Sequence, residues 1–126
     1  MTQMAYRPDW ESFPVYQRLI QSKLFLALEQ LKSLENCKVN AHCPQEHTLE
    51  DIITSQDDQN DFIGIVQQKC NAWRAQYSLL PYIDSIRFLE DSVKMLEKTS
   101  GNILYLAEQF KRSCVHQSYE KVESLQ

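Results

Sequence analysis

Between positions 79 and 114 the apolar residues step by three and four without a break. They are Leu79, Tyr82, Ile86, Leu89, Val93, Leu96, Ser100, Ile103, Ala107, Phe110 and Cys114, with Ser100 the plainly polar exception. Only an α-helix gathers such positions on one face, because a strand sends alternate residues to opposite sides. Ile86 and Val93 take the a positions of a heptad, and Leu89 and Leu96 the d positions. Two-stranded parallel coiled coils prefer that assignment. The weak point is Ser100-Gly101-Asn102, because Gly costs about 1 kcal/mol against Ala inside a helix. The heptad phase nevertheless survives, since 96, 100, 103 and 107 keep step. One continuous helix over 82–122 is therefore the favoured reading. The alternative is a turn at 99–102 with Gly101 as the C-terminal cap residue, which gives a compact four-helix bundle.

The rest of the chain follows the same period. Phe13, Gln17, Ile20, Leu24, Ala27, Leu31 and Leu34 form a stripe, and Pro14 suits a first helical turn, so a helix is expected over 14–38. Phe25 and Leu28 widen that stripe, so this helix is expected to contact more than one neighbour. Residues 39–48 contain Pro44 and lack periodicity, which predicts a loop. Thr48 and Asp51 resemble a capping box opening a second helix over 49–79. Its stretch 54–61 is wholly polar and reads as an exposed face or a break near 55–60. Pro81 disfavours a helical Leu80, so a kink or short turn is expected there. Residues 1–13 read as an arm bearing Tyr6 and Trp10, and 14–126 as a single helical domain. With 2 Gly and 4 Pro in 126 residues, turns are too few for an all-β chain. The expected class is all-α, with long helices and a C-terminal coiled-coil segment.

Charge and length exclude several functions. Asp and Glu outnumber Lys and Arg, 17 to 13, and the only adjacent basic pair is Lys111-Arg112, so a nucleic-acid role is not expected. The longest strongly apolar run spans residues 24–28, far below the roughly 20 residues a membrane span needs. The opening residues hold no apolar signal stretch, so a cytoplasmic location is expected. On that reading Cys37, Cys43, Cys70 and Cys114 are free thiols.

Candidate chemistry is sparse. Cys37, His42, Cys43 and His47 place four zinc-ligand types close together, but crowded rather than in two separated pairs, and no metal is expected. Asp57, Asp58 and Asp61 suggest a cation loop. Counting from Asp57, the sixth position is Phe62 and the twelfth Gln68, where an EF-hand needs Gly and Glu, so a solvated acidic face is expected. His116 has Ser113 three residues before it, so the Glu-x-x-His pattern of di-iron bundles is missing. Cys70 and Cys114 lie on apolar stripes and read as small core residues. No catalytic constellation is visible, and neither enzyme activity nor a cofactor is expected.

Pro81-Tyr82-x-Asp84, followed by Ile86, Leu89-Glu90, Val93 and Leu96-Glu97, resembles the second-subunit family of the biogenesis of lysosome-related organelles complex. The resemblance covers about residues 77–122. It implies a non-catalytic subunit of an elongated helical hetero-oligomer working on the cytosolic face of endosomes or lysosomes. Such a subunit would reach a membrane only through its partners.

The functional expectation is a helical interaction subunit that pairs with amphipathic helices of other proteins. The expected interface is Leu79, Tyr82, Ile86, Leu89, Val93, Leu96, Ile103, Ala107 and Phe110, with Tyr6 and Trp10 from the arm. Aromatic residues dominate interface hot spots. The rivals are a self-contained bundle with a metal or ligand at the Cys/His cluster, and a small helical chaperone or effector adaptor.

Overall fold

The computed structural model describes the backbone of residues 10–124 and the side chains of residues 10–114. Tyr6 and His116 therefore lie outside the described side chains. The chain is all-α. A 3-10 turn, Trp10–Ser12, leads into α1 (Phe13–Val39), followed by α2 (Glu46–Gln76) and α3 (Leu80–Ser124). α3 packs along both other helices. Trp10 meets Tyr82 and Phe13 meets Trp73 at one end, while Glu50 meets Lys111 toward the other. α1 and α3 thus run parallel, with α2 antiparallel between their ends, as an up-down-up bundle of three helices.

The core follows the periodic positions. α1 buries Phe13, Ile20, Ala27 and Leu34, α2 buries Leu49, Ile52, Ile63, Val66, Cys70 and Trp73, and α3 buries Ile86, Leu89, Val93, Leu96, Ile103 and Ala107. α3 is continuous through Gly101, which faces solvent, so the four-helix alternative with a turn at 99–102 does not form. Preserved heptad phase wins here because it keeps Ile103 and Ala107 on the buried face. That burial outweighs the about 1 kcal/mol that one glycine costs.

α2 is also continuous, and the polar stretch at 54–61 does not break it. Its pattern keeps phase through Gln56, which is buried and meets the polar exception of the α3 seam. Ser100 Oγ donates to Gln56 Oε1 at 2.6 Å, and Gln56 Nε2 donates to the Ile52 carbonyl at 2.9 Å and to Ser55 Oγ at 3.1 Å. Two polar side chains that would each be costly alone satisfy one another in mid-bundle. A one-turn slip of α2 along α3 would separate them, so the pair fixes register.

Helix ends differ from the expected ones. α2 starts at Glu46 rather than at 49. The Thr48–Asp51 box is not used, because Gln45, extended after Pro44, accepts the Leu49 N–H at 3.1 Å and closes a turn earlier. Its last residue is Gln76 rather than 79, since Tyr77 turns extended. Leu80 is helical despite preceding Pro81, because both sit in the first turn, where a missing N–H costs nothing. The α1 C-terminus closes as a Schellman motif. The Ala41 N–H reaches the Lys38 carbonyl at 3.3 Å and the His42 N–H reaches the Cys37 carbonyl at 2.8 Å. Ala41 itself has φ 51°, where glycine is the usual occupant.

Candidate functional site

The seam expected to face a partner is the inside of the chain's own bundle. Ile86, Leu89, Val93, Leu96, Ile103 and Ala107 are buried against α1 and α2, and Tyr82 and Phe110 pack on the edge of the same core. Leu79 leaves the seam and stands exposed in the 77–79 turn. The physical reason is chain connectivity: α1 and α2 are tethered beside α3 and cover its stripe before a second chain can. Trp10 is likewise internal. It stacks on Phe13 with ring centres 4.5 Å apart and meets Trp73, Tyr77 and Tyr82 edge-on or tilted. The aromatic end is thus a lid on the bundle's own core. Trp73 lies fully buried at its centre, and its Nε1 finds no acceptor among the described residues.

The cysteines are not all free. Cys43 and Cys114 form a disulfide, with Cα atoms 6.0 Å apart, which corrects the reduced reading. It also removes the candidate metal cluster. The sulfur of Cys43 is committed to Cys114, His42 and His47 are exposed, and no group of three possible ligands forms among the described residues. Asp57, Asp58 and Asp61 are exposed, in keeping with a solvated acidic face. Cys70 is buried. Burial pushes its thiol up to about 11, helped by the Glu90 carboxylate and opposed by Arg74. It is a protonated core residue rather than a nucleophile. Beside it Arg74 is held charged by Glu90, and its Nε donates to Glu90 Oε2 at 3.2 Å.

Among the described residues, two surface features bear on function. The first is a cleft of about 530 Å³ beside the disulfide. Its walls include Cys37, Lys38, His42, Cys43 and Arg112, and Leu106 and Phe110 line its apolar side. The second is the outer surface of α1, where Val15, Leu19, Phe25, Leu26 and Leu28 are all exposed, Phe25 at 64% and Leu26 at 63%. At 3.6 residues per turn Val15, Leu19 and Leu26 fall within about 40° of one another, while Phe25 and Leu28 lie on the opposite flank of the buried stripe. The widened stripe was visible in the sequence; that its extra members stay uncovered was not. α2 by contrast exposes one large apolar side chain, Ile65, and α3 exposes Leu80, Phe88, Met95 and Tyr105, of which Phe88 and Met95 lie one heptad apart.

Compared with family models, curated proteins and solved structures, the chain matches none. Among the described residues no helix is long and apolar enough to cross a membrane.

Proposed function

We propose that this protein is a non-catalytic interaction module, a self-contained helical bundle that docks an amphipathic helix of a protein partner on the outer surface of α1. The observation that carries the reading is the flank of α1 on which Val15, Leu19 and Leu26 all stand exposed within about 40° of one another. A large apolar residue standing alone on a surface needs no explanation, but a cluster on one helix marks an interaction site. Helix-in-groove docking uses apolar anchors at such helical spacing. The interface thus moves from the α3 seam to α1, and the role of subunit or adaptor in a hetero-oligomer stays.

The likeness of residues 77–122 to a lysosome-related complex subunit supports a trafficking assembly on the cytosolic face of a membrane. The Cys43–Cys114 bridge weighs the other way, because disulfides persist mainly in oxidising compartments. The docking role holds in either compartment.

The test compares the tagged chain with Leu19→Asp/Leu26→Asp after purification from its native cells, with quantitative mass spectrometry. Both residues are exposed, so the variant should keep its helical content and thermal midpoint. A specific partner should be recovered with the native chain and lost with the variant. Equal recovery of the same proteins by both would sink the reading.

A further inference from the structure

The turn after α1 places a free thiol and a disulfide on the same cleft. The chain reverses at Asn40 and Ala41, and the bond from the His42 N–H to the Cys37 carbonyl returns it to the last turn of α1. Cys43 is the next residue. Cys37 is a free, half-buried thiol, whereas Cys43 is exposed and bridged to Cys114. Cys37 and Cys43 line the same cleft, together with Lys38, His42 and Arg112, and no carboxylate side chain is among its lining residues.

We propose that this cleft is a thiol–disulfide exchange site in which Cys37 is the resolving thiol of the Cys43–Cys114 bridge. The Cys37 thiol gives its proton to solvent, and its thiolate attacks Sγ of Cys43. A Cys37–Cys43 bond forms as the Cys43–Cys114 bond breaks. The electron pair leaves on Sγ of Cys114, which takes a proton from water. One disulfide and one thiol stand on each side of the reaction, so no oxidant or reductant is consumed. Cys43 is the sulfur attacked because its residue is exposed while Cys114 is half-buried. Cys70 does not compete, since it is buried and borders a different cleft, one lined by Asn71, Arg74 and Glu90.

The exchange changes what the bond holds. Before it, the bridge joins residues 71 apart and ties α3 to the α1–α2 turn. After it, the bond lies within that turn and α3 is released at this end.

The experiment holds the oxidised full chain in its folded state at about pH 8, where free thiols are partly ionised. It then quenches with excess N-ethylmaleimide and maps tryptic peptides by mass spectrometry. Cleavage after Lys38 separates Cys37 from Cys43, and cleavage after Arg112 separates Cys114 from both. The expected result is a Cys37–Cys43 linkage that grows with time, with alkylated Cys114 rising in step. Cys37→Ser should abolish that linkage and leave Cys43–Cys114 intact. Cys43–Cys114 alone, with Cys37 alkylated at every time point, would overturn the proposal. So would four alkylated thiols, or prominent linkages to Cys70, which report scrambling through the unfolded chain.

Discussion

The two ends of the bundle face the same problem and solve it differently. At one end the 3-10 turn, the start of α1 and the 77–79 turn meet, and Trp10, Phe13, Tyr16, Trp73, Tyr77 and Tyr82 close over one another. At the other end the turn at 40–45 is polar and mostly exposed, and it is tied to α3 by the Cys43–Cys114 bond beside an open cleft. Aromatic rings hold helix ends together by buried area, which needs many large side chains in mutual contact. The distal turn, Asn-Ala-His-Cys-Pro-Gln, has no such side chains to offer, and a covalent link needs only one residue from each partner. A helical bundle can thus close a turn that offers no core side chains of its own, provided a covalent link constrains the unfolded state instead.

This contrast can be broken at either end. The largest effect should come from Trp73→Ala, which empties the centre of the aromatic lid and should cost about 3–5 kcal/mol. Urea unfolding would measure it, and amide exchange should rise first around residues 10–20 and 70–85. Cys43→Ser should cost about 2–4 kcal/mol through lost loop closure, with faster exchange near 34–50 and 103–114. If both variants loosened the same residues, the two ends would not be independent. The smallest effects should be gains. A Cβ on Gly101 would meet nothing within 4 Å, so Gly101→Ala should add about 1 kcal/mol. Ala41→Gly should add a similar amount by relieving the left-handed cap position. The chain carries glycine where alanine suits and alanine where glycine suits, so thermal midpoints should rise for both.

The helical class and the α3 seam were readable because burial imposes a period, and a period survives in a single sequence. Ser100 stood out as an exception for the same reason. Its partner did not: Gln56 hides in a run of eight polar residues, and periodicity weighs a buried glutamine like an exposed one. The direction the seam faces was not readable either. Heptads state that a stripe is covered without saying by which chain. The disulfide was invisible because a separation of 71 residues carries no pairing signal, and the compartment argument pointed to thiols. Phe25 and Leu28 widen the α1 stripe in the sequence, yet whether they are covered depends on how α2 and α3 pack, which is a tertiary property.

The disulfide also divides the chain mechanically. Residues 43–114 form a closed covalent ring that contains α2 and most of α3, while α1 is a tail outside it. Tension applied across the two ends of the molecule would pass along α1, through the sulfur–sulfur bond and out along the last turns of α3. The covalent path would bypass the α2–α3 hairpin. A bridged molecule stretched to its contour would stop roughly 240 Å short of the reduced one, at about 3.4 Å for each sheltered residue. Under load the bridge makes the α2–α3 segment a covalently bypassed loop.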